Sequence, residues 1–119
     1  MSEAVSWILQ LSVREGRLDD FRSLAREMVE STRSEPGALA YEWFLDDDGG
    51  VCHIYERYAD SGAALAHIAT FGERFAERFM DCVEPKGAYV YGNPGPEVRN
   101  ALDGLGAAYL GPLDGFFRG

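Results

Sequence analysis

Two residues in this sequence are suited to moving a proton between them, His67 and Glu56. An imidazole ordinarily titrates near ~6.5, so His67 can accept and return a proton at neutral pH. It lies three residues after Ala64 and four before Phe71, so on a helix these three share a face. Glu56 stands in the alternating run from Val51 to Tyr58. If Cys52, Ile54, Glu56 and Tyr58 point toward the helices, the Glu56 carboxylate is buried and can orient His67. Each residue also has a plainer use: His67 as a semi-buried histidine bonded to a carbonyl, Glu56 as one half of an ion pair with an arginine. Trp7, Leu9, Tyr41, Trp43, Phe71 and Phe75 could line an apolar box beside this pair, or could simply be core. His53 falls on the opposite strand face and reads as structural.

Other chemistries lack their residues. The only two histidines, His53 and His67, lie on different elements with no H-E-x-x-H spacing, and Cys52 and Cys82 form no C-x-x-C pair. Both cysteines read as packing thiols of a reducing compartment. A Gly-rich phosphate loop and a Gly-x-Ser-x-Gly elbow are both missing. Nucleic acid is disfavoured, because 11 Lys and Arg face 20 Asp and Glu for a net charge of −9, and phosphate binding needs clustered cations. The start, Met1-Ser2-Glu3, carries no basic or apolar leader and no apolar run is of membrane-spanning length, so a cytoplasmic protein is expected.

The elements that must position these groups are legible in the pattern. From Val5 to Val13 the chain alternates, with Val5, Trp7, Leu9, Leu11 and Val13 on one face, which predicts a strand. Between Arg17 and Arg33, Leu18, Phe21, Leu24, Ala25, Met28 and Val29 recur at helical steps, and Glu35-Pro36-Gly37 ends that helix. A strand from Ala38 to Leu45, an Asp-Gly turn and a strand from Val51 to Tyr58 predict a hairpin. Asp60 can cap the next helix. Thr70-Phe71-Gly72-Glu73 spells a capping box and so predicts a fresh helix start, closed by Pro85. Ala88 to Gly92 predicts a short fourth strand.

The resulting order, β-α-β-β-α-β, is that of an α+β, ferredoxin-like domain with an antiparallel sheet and helices on one face. A chain of 119 residues fits one such domain, here residues 1–92. Residues 93–119 form a C-terminal extension: a short helix from Pro96 with Val98, Ala101, Leu102 and Leu105 on one side, then an aromatic tail that packs on the core, along a sheet edge or across a partner. The outer sheet face would carry Ile8, Ala40 and Phe44, too apolar a surface to leave in water. A homodimer with its sheets face to face would cover it.

The segments Glu35-Pro36-Gly37-Ala38-Leu39-Ala40-Tyr41-Glu42 and Ile54-Tyr55-Glu56-Arg57-Tyr58-Ala59-Asp60, followed by Ala64 and His67, resemble the antibiotic biosynthesis monooxygenase domain over about residues 5–92. The resemblance implies a dimeric α+β barrel, and oxygenase members that use neither metal nor flavin. Such an enzyme would oxidise a small aromatic, anthrone or quinol-like substrate whose own anion reduces oxygen, with His67 as base. Haem-degrading relatives carry an asparagine on the first strand, where this chain has Leu9 and Gln10, so haem breakdown is not implied. Two alternatives stand beside the oxygenase: a non-catalytic dimeric binding module for a small hydrophobic ligand, and an isomerase of the same superfamily.

Overall fold

The computed structural model describes residues 3–118; Met1 and Ser2, part of the start expected to lack a leader, lie outside them. Alternation from Val5 onward becomes β1 (Val5–Val13), the middle strand of a five-stranded sheet. β3 (Val51–Tyr58) and β4 (Val83–Tyr91) flank it antiparallel, and β2 (Ala38–Leu45) pairs with β3 as the expected hairpin. A short β5 (Ala107–Leu110) runs parallel to β4 at the edge, so the order is β2-β3-β1-β4-β5. The aromatic tail thus begins along a sheet edge.

Four helices cover one face: α1 (Leu18–Arg33), α2 (Ser61–Arg74), α3 (Ala76–Cys82) and α4 (Pro96–Asp103). Their apolar stripes meet the inward set of the sheet in two clusters. One joins Phe21, Leu24 and Met28 of α1 and Phe79 of α3 to Leu11, Cys52 and Ile54. The other joins Ala64 of α2 and Val98 and Leu102 of α4 to Val5, Trp7, Tyr58 and Val90. Leu9 touches both. The frame is the expected ferredoxin-like one, extended by α4 and β5.

Three local expectations are corrected. No helix starts at Thr70: α2 runs from Ser61 to Arg74, and the break falls at Phe75 (φ −127°, ψ −20°). A capping threonine needs extended backbone, whereas Thr70 stays inside a helix held down by His67 and Phe71. Pro85 closes no helix. It lies within β4, which begins at Val83 and is longer than expected, next to the register shift opposite Gln10 and Leu11. There the ladder is already interrupted, so a residue without an N–H fits. Finally, alternation from Ala38 to Leu45 puts Leu39 on the face of Tyr41, Trp43 and Leu45, yet Leu39 is half exposed, because a register shift between Ala38 and Ala40 takes it out of that set.

Candidate active site

His67 projects from the second turn of α2 toward the sheet, and its ring is bracketed by two carboxylates. Nδ1 lies 3.1 Å from Glu35 Oε1 and 3.3 Å from Glu35 Oε2. Nε2 lies 3.3 Å from Glu56 Oε1, and the same oxygen accepts the Tyr58 O–H at 2.7 Å. The Tyr41 and Tyr58 rings flank the imidazole, with centroids 5.2 and 5.0 Å away. Glu56 therefore pairs with a histidine and a phenol, and not with an arginine.

Local structure fixes each member. Asp60 Oδ1 accepts the Ala63 N–H at 2.8 Å, which starts α2 and sets the rotation that turns Ala64 and His67 inward. Alternation along β3 carries Glu56 and Tyr58 to the buried face between Ile54 and the α2 cap. Glu35 leaves the end of α1, where its N–H bonds Thr32 O at 2.9 Å and its own carbonyl accepts the Ala38 N–H at 3.1 Å. A methyl group on Gly37 would collide with Ala63 Cβ. Glycine there lets the turn approach α2 closely enough for Glu35 to reach the ring.

The electrostatics follow from burial and these two charges. Burial disfavours the imidazolium, but the hydrogen bond and charge of Glu56 together with Glu35 outweigh it, so the His67 pKa is raised above 6.5. Burial first, and the Glu56 charge second, push the Tyr41 and Tyr58 phenols far above their ordinary range. Tyr58 therefore stays a proton-bearing donor to Glu56. Cys52, buried behind the site, is pushed up to about 11 and is an unreactive thiol.

The imidazole and Glu56 form the polar end of a cavity of about 180 Å³ between the sheet and the helices. Trp7, Leu9 and Tyr41 line its sheet side; Ile68 and Phe71 of α2, Phe79 of α3, and Leu102 of α4 with the following Leu105 roof it. Trp43 and Phe75, offered as lining residues by their spacing, lie elsewhere. Trp43 packs against Phe21 and Phe79 in the neighbouring cluster, and Phe75 borders a narrow cleft on the Glu35 side of His67. Glu35 and Tyr58 escaped the sequence reading, since Glu35-Pro36 reads as a helix terminator and Tyr58 as a strand end. Among the described residues no group of three or more His, Cys, Asp or Glu is placed to hold a metal. The two glutamates take opposite nitrogens and cannot converge on one ion.

The sequence model for antibiotic biosynthesis monooxygenases matches residues 4–84. The chain belongs to that family. Comparison with curated proteins finds no match. Among solved structures, MupZ from Pseudomonas fluorescens superposes with a TM-score of 0.84 at 22 % identity, covering 99 % of this chain and 91 % of its own. An antibiotic biosynthesis monooxygenase at 30 % identity covers 72 % of this chain and 92 % of its own, with a TM-score of 0.62. SnoaB, a cofactor-independent oxygenase from Streptomyces nogalater, superposes with a TM-score of 0.67 at 14 % identity, covering 79 % and 96 %. In this antibiotic biosynthesis monooxygenase domain the matched residues end within β4, and α4 and β5 lie beyond them.

Proposed function

We propose that this chain is a cofactor-independent monooxygenase acting on a single-ring phenol or quinol, within the small aromatic, anthrone or quinol-like class. One observation carries the proposal: a carboxylate-bracketed imidazole at the polar end of an otherwise apolar cavity. An apolar cavity of roughly 150 Å³ accommodates benzene, so about 180 Å³ suits one ring and is tight for three fused ones. SnoaB, which shares the fold, is a cofactor-independent oxygenase.

The chain's part is acid–base and steric. The substrate hydroxyl gives its proton to His67, whose pKa, raised by the neighbouring carboxylates, lies nearer to a phenol's than that of free imidazole does. The anion left behind is electron-rich and reduces oxygen. One oxygen atom becomes a ring carbonyl and the other leaves as water, so phenol plus O2 gives quinone plus water without an outside reductant. The apolar walls keep bulk water from the intermediates.

A binding module without catalysis would use the same cavity but would be served by a histidine bonded to backbone, whereas both ring nitrogens of His67 face carboxylates. The working form we infer is a twofold dimer through the outer sheet face, in a reducing cytoplasm that keeps the buried Cys52 and Cys82 as thiols. Among the described residues no helix is long and apolar enough to cross a membrane. Oxygen-electrode assays with methyl- and methoxy-hydroquinones test the proposal. We expect one O2 consumed per substrate, and a fall in kcat of about 10²–10⁴-fold in His67→Ala. Tight quinol binding with no oxygen uptake would instead mark a binding module, and turnover without oxygen an isomerase.

A further inference from the structure

The two glutamates that bracket His67 are not equivalent. Glu56 is only 4 % exposed at its side chain, lines the cavity, and shares its Oε1 between His67 and Tyr58. Glu35 is 20 % exposed, borders the narrow cleft behind His67 and not the 180 Å³ cavity, and turns both oxygens toward Nδ1. Glu56 can therefore touch a substrate, whereas Glu35 can act only through the ring.

We propose that Glu35 is the positioning residue of this site, accepting a hydrogen bond from His67 Nδ1–H and so holding the neutral imidazole in the tautomer whose bare Nε2 can accept the substrate proton at the polar end of the cavity. The same carboxylate then steadies the imidazolium formed when the substrate proton reaches Nε2. Glu56 at Nε2 would favour the opposite tautomer, but its Oε1 already accepts from Tyr58, whereas Glu35 turns both oxygens to Nδ1. The titratable groups that face His67 are Glu35 on the turn after α1, Tyr41 on β2, and Glu56 and Tyr58 on β3. Both phenols remain protonated, and Glu56 occupies the other nitrogen. A histidine tautomer is set by the hydrogen bond of its second nitrogen, and a carboxylate that fixes it can be worth up to about 10⁴-fold in rate.

Pre-organisation supports the role. The Glu35 backbone is tied on both sides by the bonds to Thr32 and Ala38, and Gly37 O accepts the Ala59 N–H at 2.9 Å, which locks the turn against the end of β3. The carboxylate is thus held in place before any substrate arrives. The inference deepens the acid–base reading of the cavity and rests on it, but its first test needs no substrate.

Nitrogen-15 NMR of His67 is recorded across pH in the wild type, Glu35→Gln and Glu35→Asp. We expect the wild-type neutral ring to carry its proton on Nδ1, the opposite of free imidazole side chains in water. In Glu35→Gln, which keeps the shape but can donate to Nδ1, we expect the Nε2–H tautomer and a proton affinity about tenfold lower or more. Glu35→Asp should restore the wild-type pattern. With a turned-over quinol, Glu35→Gln should lower kcat by about 10²–10⁴-fold at unchanged KM, and Glu35→Asp should recover most of it. A wild-type ring protonated on Nε2 overturns the proposal without any variant. So does a Glu35→Gln protein, merely less stable, whose His67 tautomer and titration match the wild type. Should the NMR pattern appear while no quinol consumes oxygen, the oxygenase reading falls and the role of Glu35 stands.

Discussion

A buried imidazolium between two carboxylates makes the protein's stability respond to pH in one direction. The folded-state pKa of His67 is raised above its unfolded value, burial opposing and the two glutamates prevailing. By linkage, the stabilisation is fully present below about 6.5 and is lost as pH rises through the folded value. Urea unfolding midpoints should therefore fall between pH 6 and pH 9 in the wild type. His67→Gln should show a flatter profile over that window; an equal slope would mean that the pair contributes nothing. At this scale the sequence told part of the story. His67 and Glu56 were recognisable because helical and strand periods say which face a residue takes. Glu35 was not, because its partner lies 32 residues away and a helix end before proline already accounts for it. Trp43 and Phe75 share faces with true wall residues, but periodicity gives the face and not the depth along the sheet. The cavity lies between the two core clusters, beside Leu9, and these rings lie outside it.

The elements hold the site through a tight contact between the turn after α1 and α2, and through α4. Gly37 and Ala63 bring the turn after α1 against the first turn of α2, and this approach sets the distance from Glu35 to His67. Gly37→Ala forces a methyl group against Ala63, so the turn must move. Overpacking of this kind costs about 1–3 kcal/mol, read as a lower urea midpoint. The displaced carboxylate should also lower the pKa of His67 toward the ordinary histidine value. Ala63→Gly in the same chain should restore both, since it removes the other half of the clash; failure to do so would place the strain elsewhere. The strands and helices were largely legible from alternation and helical stripes. Pro85 misled because proline ends helices more often than it sits in strands, and only the register shift beside it shows why β4 tolerates it. Thr70 misled because a capping motif is a local signal, overridden here by the packed face of α2. The contribution of α4 depends on tertiary placement: Val98 and Leu102 mark an apolar side, but only the fold shows that Leu102 faces the same cavity as His67.

At the scale of the whole molecule, the cavity and its Glu56–Tyr58 strand lie on the helix-covered face of the sheet, and the proposed dimer uses the other face. The site and the proposed dimer are therefore separable. The outer sheet face leaves Phe44, Val51 and Tyr89 about half exposed, with Leu110 at its β5 edge. The tail adds to this surface, since the Phe117 ring lies 3.9 Å from the Arg57 guanidinium on the same face. A stable interface commonly hides roughly 1,200–2,000 Å² in total, which two such faces could supply. Each chain carries a net charge of −9, so association brings like charges together and should tighten as salt screens them. In a twofold interface a substitution acts twice, and a charge buried there without a partner is costly. Tyr89→Glu should therefore weaken the dimer by about 100-fold or more in sedimentation, while Tyr89→Phe leaves it intact. The monomer so produced should keep the raised pKa of His67, because the carboxylates that raise it, Glu56 and Glu35, belong to the same chain. A wild type that sediments as a single chain at every salt concentration would remove the dimer, and a monomeric variant whose His67 titrates normally would show that the partner shapes the site after all.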